Sequence, residues 1–231
     1  MTEEKTRPIV TIDGPAASGK GTISKKICRD LNFFHLETGI FYRVVAKEFL
    51  QRKKIQDINK FIKNLDRNIF EIDKNYKKSI FTEEVANQAS SLAKLNNIRS
   101  FVLSEQLKAI LQYPKKFRGV ILEGRDCGTV IAPNADVKFF LNANVEIRAK
   151  RRFKQLSMHI TGLKYENILE DLTKRDQNDK NRAISPLIKA KDAKEIDCSD
   201  LSIEETIGIV KKIILSKLPN FNEKKESING K

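Results

Sequence analysis

The feature that most constrains this chain is an apolar run that ends in a loop of small residues and a lysine. Residues 9–12 are mostly β-branched, residues 14–19 carry small side chains, and Lys20 opens an amphipathic helical pattern. A strand, a loop of small residues, a Lys and a helix in this order are typical of a phosphate-binding loop. The pattern therefore predicts an α/β unit that binds polyphosphate at a helix N-terminus.

The residue types in the loop explain how it would hold an anion. Small side chains let several backbone N–H groups approach the phosphates, and Lys20 supplies a point charge for the β- and γ-phosphates. The expected phosphate-binding residues are Gly14, Pro15, Ala16, Ala17, Ser18, Gly19, Lys20, Gly21 and Thr22.

Gly21 stands where such loops usually carry the Ser or Thr that holds Mg²⁺. Magnesium is therefore expected to be held mainly by phosphate oxygens and water, with no metal-ligating cluster of side chains.

Composition limits the class of protein. The 231 residues are 40% hydrophobic and 32% charged, which suits one soluble globular domain. No apolar run reaches the roughly 18 residues of a membrane span, and no signal segment follows the charged N-terminus, so we expect a cytoplasmic protein. The net charge of +14 comes from Lys spread along the chain, which argues against nucleic acid as the main partner. Cys28, Cys127 and Cys198 have no metal-like spacing and are expected to be free thiols.

Hydrophobic periodicity predicts strands alternating with helices, and therefore a parallel sheet covered on both faces. The expected strands cover residues 9–12, 32–36, 119–122, 136–141 and 195–196, with one more near 69–72 in a Lys-rich segment. Helices are expected from residue 20 to about 30, from about 39, at 81–112 with a break near Asn96 and Asn97, and at 145–158, 165–179 and 202–217. Ser202 and Glu205 fit a capping box, and the chain after residue 219 is expected to be disordered.

Three polar clusters follow strands or lie on helices near them. They are Thr38 with Arg43, residues 123–129, and residues 174–182. Arg175, Asp179 and Arg182 have the spacing i, i+4, i+7 and would share one helix face. Taken alone, this face could be a solvated row of ion pairs, and Arg125 with Asp126 could be a structural pair at a turn. Combined with a phosphate-binding loop, several arginines after strands favour a second anionic substrate.

These motifs and their order resemble bacterial cytidylate kinases. The segments are residues 11–22, 36–43, 84–90, 123–130 and 175–182, and the resemblance covers residues 9 to about 210. It implies a P-loop NTPase three-layer α/β core with a central parallel sheet, a nucleotide-binding insertion and a small lid. The implied bounds within one kinase domain are core 8–43, 113–145 and 166–217, insertion about 44–112, lid about 146–165 and tail 219–231.

The resemblance also implies a reaction and roles for named residues. ATP, with Mg²⁺, would phosphorylate CMP, and dCMP as well, in a protein that works as a monomer. Lys20, Arg125, Arg182, Arg151 and Arg152 would act on the transferred group. Thr38, Arg43, Ser90, Arg99, Arg125, Asp126, Arg175, Asp179 and Arg182 would bind the acceptor, with Ser90, Arg99 and Asp126 at the base. Arg148, Arg151 and Arg152 fall in the family's lid, over the donor phosphates.

Some features leave alternatives open. Glu37 and Glu123 stand where the family more often has Asp, so their part in orienting Mg²⁺ is open. Ser90 and Arg99 are nine residues apart and could reach one base only if the helix breaks between them. The alternatives are another small kinase of the same fold acting on AMP, dTMP or shikimate, a P-loop GTPase switch, and a basic RNA-binding protein.

Overall fold

A computed structural model describes residues 7–52, 55, 57–158 and 160–221, and every structural statement concerns these residues. The tail predicted to be disordered lies mostly in residues 222–231, outside the described residues, whereas Pro219–Phe221 form a short 3₁₀ helix. In the described ranges, none of the helices combines the length and the apolar character that crossing a membrane requires.

The core is a parallel sheet of five strands. The strands are β1 (Ile9–Asp13), β2 (Phe33–Glu37), β3 (Gly119–Gly124), β4 (Val137–Asn142) and β5 (Lys194–Asp197). Their order in the sheet is β2-β3-β1-β4-β5, and all four pairings are parallel. The predicted parallel sheet is confirmed. Parallel strands need crossover connections, which explains why a helix follows nearly every strand.

Helices cover both faces of the sheet, which makes the core a three-layer structure. On β3, Val120 and Leu122 pack with helices α2 (Gly39–Gln51), α5 (Glu83–Leu92) and α6 (Asn96–Gln112). Ile121 points the other way, into a cluster with α1 (Lys20–Leu31) and α9 (Ile203–Lys217). A strand buried on both faces reads as a continuous apolar run, which is why β3 was recognisable in the sequence.

The predicted strand near residues 69–72 is wrong. The structure has a 3₁₀ helix at Arg67–Phe70, between α3 (Ile58–Lys63) and α4 (Lys74–Ser79). Asp66 caps this turn by accepting a hydrogen bond from the backbone N–H of Asn68 at 3.0 Å. Phe70 then packs its ring 5.2 Å from that of Phe41, so an apolar segment is buried without entering the sheet.

Two further predictions about helices are confirmed. The helix over residues 81–112 is interrupted at residues 93–95, slightly before the expected Asn96. Ser202 and Glu205 form a capping box at the start of α9.

Helices α7 (Val145–Ser157) and α8 (Tyr165–Asn181) pack on each other through a small cluster around Ala149 and Leu172. The residues predicted to form the lid, about 146–165, cover most of α7 and the connection that follows it.

Candidate active site

The site lies along the carboxyl ends of neighbouring strands. Asp13, the last residue of β1, pairs with Gly124 at the end of β3. Residues 14–19 follow β1 and residues 125–131 follow β3, so the phosphate-binding loop and the second polar cluster start side by side. Carboxyl ends of strands are where open α/β sheets bind ligands.

The loop after β1 has the geometry of an anion cradle. A Cβ on Gly14 would lie 2.0 Å from the carbonyl oxygen of Leu141, so only Gly fits where the loop passes β4. Ala17 has φ 58° and Gly19 has φ 91°, both in the left-handed region. Left-handed residues within a loop turn successive backbone N–H groups toward one point. The Ser18 hydroxyl is buried and has no hydrogen-bond partner in the described residues, so it is available to a polar ligand.

Lys20 is buried beside this loop. Its Nζ donates to the carbonyl oxygen of Pro15 at 2.8 Å. Burial, and then the nearby positive charge of Arg125, lower the pKa of Lys20 to about 7, although Glu123 and two aspartates oppose the shift. An ammonium whose charge is so poorly stabilised gains most from a polyphosphate placed in the cradle.

Arg148 supports the loop from behind. Its guanidinium donates to the carbonyl oxygen of Ala16 at 3.0 Å and to Asp176 Oδ2 at 2.6 Å, and it is buried. Arg148, which was expected over the donor phosphates, is here bonded to the loop backbone and to Asp176. In a trans peptide the N–H points opposite to the C=O, so the bond to Ala16 turns the Ala17 N–H away from Arg148. Arg148 thus fixes the orientation of one amide of the loop.

Glu123, near the end of β3, explains the unusual Gly21. A Cβ at position 21 would lie 3.3 Å from Glu123 Oε1, so the carboxylate occupies the space beside the start of α1. Glu123 Oε2 lies 2.9 Å from His35 Nε2. Burial raises the pKa of Glu123, but the hydrogen bond with His35 and the charge of Lys20 lower it more, so the net shift is downward. Thr38 donates its hydroxyl to the Glu123 carbonyl oxygen at 2.9 Å.

A series of ion pairs, in which acidic side chains alternate with arginines, begins just after β3. Arg125 Nε donates to Asp179 Oδ2 at 3.0 Å, and Arg182 Nη1 lies 3.6 Å from Asp179 Oδ1. Arg182 Nη2 is 3.9 Å from Asp126 Oδ2, and Arg99 is hydrogen-bonded to the same oxygen. Arg182 does not share the helix face with Arg175 and Asp179 as predicted, because α8 ends at Asn181. Its side chain nevertheless joins the group, and its buried Nη2 has no hydrogen-bond partner in the described residues.

A cavity of about 210 Å³ opens beside this chain of charges. Its lining includes Tyr42, Arg99, Gln106 and Asp126. Arg99 Nη1 also donates to the Ala93 carbonyl oxygen at 3.1 Å, in the break between α5 and α6. Burial raises the pKa of Asp126, against the opposing charges of Arg99 and Arg182. A buried donor and a buried acceptor side by side in a small cavity suit recognition of a heterocyclic base.

Ser90, predicted at the same base, lies on α5 across the break, and the cavity lining does not include it.

Two more cations, Arg43 and Arg175, belong to the same field of positive charge as Arg125. Burial, and then the charge of Arg175, lower the pKa of Arg43 to about 10. Burial and the charge of Arg125 lower the pKa of Arg175. Arg43 itself is anchored by donating to the Ile80 carbonyl oxygen at 2.9 Å. Guanidinium groups that depress one another's pKa mark a place prepared for an anion.

The two remaining lid arginines differ in their placement. Arg152 is hydrogen-bonded to Glu83, the first residue of α5. Arg151 donates to carbonyl oxygens of the segment after β5, the nearest being that of Cys198 at 2.7 Å. The structure therefore brings Arg152 to the acceptor side, whereas Arg151 is held by the backbone after β5.

Sequence reasoning missed two residues that build the site. Asp13 accepts hydrogen bonds from the backbone N–H groups of Cys127 and Gly128 at 2.9 and 2.7 Å, and so ties β1 to the turn after β3. Gln106, which is 2% exposed, donates to the Thr38 carbonyl oxygen at 3.0 Å. The signal available for Asp13 was an acidic residue at the end of an apolar strand, and that for Gln106 was an amide on the same helix face as Ile98 and Val102. The three cysteines are free, as predicted, and the structure shows that all three are buried.

Comparisons with known proteins agree with this geometry. The sequence profile described as cytidylate kinase matches residues 10–216. A protein of Bartonella bacilliformis named cytidylate kinase is 39% identical over 204 residues, covering 87% of this chain and 91% of its own length. One of Clostridium tetani with the same name is 38% identical, covering 92% and 96%. A solved structure of an uncharacterized protein from Eubacterium ventriosum shares the fold at 11% identity, with a TM-score of 0.54 and coverage of 91% and 99%.

Proposed function

The chain belongs to the cytidylate kinase family, and on that basis we propose that it transfers the γ-phosphoryl group of ATP to CMP, and also to dCMP. The observation that carries this proposal is one juxtaposition. The Lys20 loop and Arg125 follow neighbouring strand ends, and the ion pairs that link Arg125 through Asp179 to Arg182 lead to a base-sized cavity. The loop around Lys20 would hold the phosphates of ATP, and Arg125 and Arg182 would hold the phosphate of CMP.

The transfer needs no general base from the protein. The second pKa of a phosphate monoester is about 6, so the attacking oxygen is already ionised near neutral pH. The main obstacle is repulsion between two polyanions, which at 4 Å is about 4 kcal/mol per pair of unit charges at a surface-like dielectric. Lys20, Arg125 and Arg182 would offset this repulsion and align the attacking oxygen with the γ-phosphorus. We expect Arg43 and Arg175 to hold the remaining charge of the acceptor phosphate.

Base selection would depend on the pair Arg99 and Asp126. Cytosine presents an amino donor beside ring acceptors, so it requires an acceptor and a donor from the protein. The Asp126 carboxylate would accept from the amino group, and the Arg99 guanidinium would donate to the ring acceptors. A base that presents a carbonyl in place of the amino group would leave Asp126 without its hydrogen bond, which is costly for a buried acceptor. Asp179 and Arg175 are proposed to contact the sugar.

Magnesium fits the residues at the strand ends. Glu123 lies beside Lys20, and Oε2 of Glu37 is buried without a hydrogen-bond partner in the described residues. Oxygen ligands suit this ion, which keeps several of its waters when bound to nucleotides. We propose that Mg²⁺ is held mainly by phosphate oxygens and water, with Glu37 and Glu123 accepting hydrogen bonds from that water. When bound, it would neutralise charge on the transferred phosphoryl group.

Closure and assembly complete the proposal. Arg151 and Arg152 are proposed to approach the donor phosphates when the lid closes, which would exclude water from the transfer. Both nucleotide sites are built from one chain, which supports a monomer, and size-exclusion chromatography with light scattering would test it. The three buried free thiols support a reducing compartment such as the cytoplasm.

A substrate panel tests the function. ADP release would be followed with ATP and CMP, dCMP, UMP, AMP, dTMP or shikimate as acceptor. We expect CMP to give the highest kcat/KM and dCMP to be turned over as well. Turnover of AMP, dTMP or shikimate in preference to CMP would contradict the proposal. Strong RNA binding that persists in a Lys20→Met variant, without CMP turnover, would favour a basic RNA-binding protein instead.

A further inference from the structure

One carboxylate sits among the arginines that are proposed to hold phosphate. Glu83 begins α5 in the insertion, and its carboxylate accepts a hydrogen bond from Arg152 of α7, a residue 69 positions away in the chain. This contact joins the proposed insertion to the proposed lid. The side chain of Glu83 is about half exposed, so solvent and ligands can reach it.

The charges around Glu83 are strongly unbalanced. Besides Arg152, the positive charges of Arg175 and Arg43 lower the pKa of Glu83 against the opposing effect of burial. The positive charge of Arg125 also repels Arg175. Arg125 itself is hydrogen-bonded to the carboxylate of Asp179. Glu37 also acts on Arg43, and Asp179 also acts on Arg175, whereas the charge of Glu83 acts on Arg43 and Arg175 and its carboxylate is bonded to Arg152. A phosphate attracted by the same three guanidinium groups would enter the field of that carboxylate.

We propose that Glu83 is an internal counter-anion that the acceptor phosphate must displace from Arg152 and its neighbours. This inference rests on the proposed function, since it assumes that the acceptor carries a phosphate. Glu83 stabilises the empty site by neutralising converging cations, and it weakens acceptor binding by competing for them. Displacement frees Arg152 from the insertion only after the acceptor phosphate has arrived, so the lid arginine becomes available to the donor when both substrates are present.

The test compares two neighbouring carboxylates. Glu83→Gln removes the charge and keeps the size of the side chain, and Glu84→Gln is the matched control because Glu84 is the next residue of α5 and is exposed. Calorimetry would measure binding of CMP and of cytidine to each protein. We expect Glu83→Gln to bind CMP about tenfold more tightly than the unaltered protein, since a like charge near the phosphate is removed. Cytidine, which has no phosphate, should bind all three proteins equally.

A second readout separates this role from a structural one. In steady state, Glu83→Gln should lower KM for CMP, with KM for ATP within about twofold of its original value. Glu83→Ala provides a second variant without the carboxylate and should behave in the same direction.

Unchanged or weaker CMP binding in Glu83→Gln would overturn the inference, and so would an equal change for cytidine or the same gain in Glu84→Gln. If the unaltered protein turns over CMP in the substrate panel but Glu83→Gln binds it no better, only this inference fails. If it does not turn over CMP at all, the proposed function fails first.

Discussion

The donor and acceptor sides of this site are built in different ways. The donor cradle comes from one continuous stretch, residues 14–20, which is largely buried and receives one supporting hydrogen bond from Arg148 of α7. The acceptor side is assembled from α2, the turn after β3, α5, α7 and α8, and several of its arginines are partly exposed. A local site is formed as soon as its strand, loop and helix form, whereas a composite site depends on how distant elements come together. The acceptor side is therefore where motion and selectivity should reside.

The donor side should be the more sensitive to loss of a single charge. Lys20→Met is expected to lower kcat by a hundredfold or more, the usual scale for such electrostatic clamps, and to leave CMP binding within about twofold. The exposed Lys25 on the same helix, changed to Met, is the control. Turnover near that of the unaltered protein would remove Lys20 from the mechanism.

The acceptor side should show a different kinetic signature. Arg125→Ala is expected to lower kcat/KM for CMP by about a hundredfold, with KM for ATP changed far less. Arg29→Ala, at an exposed arginine of α1, is the matched control. Equal losses of ATP and CMP binding in Arg125→Ala would mean that the two sides are not separate.

The support behind the donor loop can be tested through stability. Arg148→Met should lower the free energy of unfolding by roughly 3 kcal/mol, because Asp176 is left as a buried, unpaired charge. It should also raise KM for ATP, since the Ala16 carbonyl oxygen loses its donor. Changing Asp176→Leu in the same protein should restore stability without restoring KM. Thermal unfolding and kinetics would measure both, with Lys150→Met as the exposed control; restored KM in the double variant would contradict the positioning role.

Selectivity on the acceptor side should change by about tenfold. Asp126→Asn replaces the acceptor proposed for the cytosine amino group with an amide that can also donate to a carbonyl. The ratio of kcat/KM for CMP to that for UMP is expected to fall by about tenfold, within the range for one buried hydrogen bond. The exposed Asp171→Asn on α8 is the control, and an unchanged ratio in Asp126→Asn would remove that residue from base selection.

The smallest expected effect is proton uptake at the donor side. In the empty site the pKa of Lys20 is about 7, so the amine is mostly neutral at pH 8 and mostly charged at pH 6. Bound polyphosphate favours the charged form, so ATP binding should take up a larger fraction of a proton at pH 8 than at pH 6. Calorimetry in buffers of different ionisation enthalpy measures this uptake. The Lys20→Met variant should lack the pH-dependent part of the proton uptake. If that part persists in the variant, a group other than Lys20 takes up the proton.

The strand, loop and helix at residues 9–31 were predictable from the sequence because their determinants are local. Small residues, a lysine and a helical pattern in a fixed order define the loop without reference to the rest of the chain. The capping box at Ser202 and the buried run of β3 were predictable for the same reason: each pattern is complete within a few residues.

The acceptor side could be predicted only in part, since partners distant in sequence decide it. Arg148 and Arg152 look alike in the sequence, yet one is buried behind the loop and the other bonds to Glu83. The apolar residues near 69–72 suggested a strand, but Asp66 caps a 3₁₀ turn there and Phe70 packs against Phe41. No spacing rule indicates which arginine will find an acid across the fold.

The most direct measurement is the affinity of a single molecule that carries both nucleotides, an adenosine and a cytidine joined by a pentaphosphate. If the cradle and the arginines lie side by side at one sheet edge, this compound should bind at least a hundredfold more tightly than ATP or CMP, because one binding event satisfies both sites. Lys20→Met and Arg125→Ala should each weaken it. Affinity no higher than that of ATP would contradict the account.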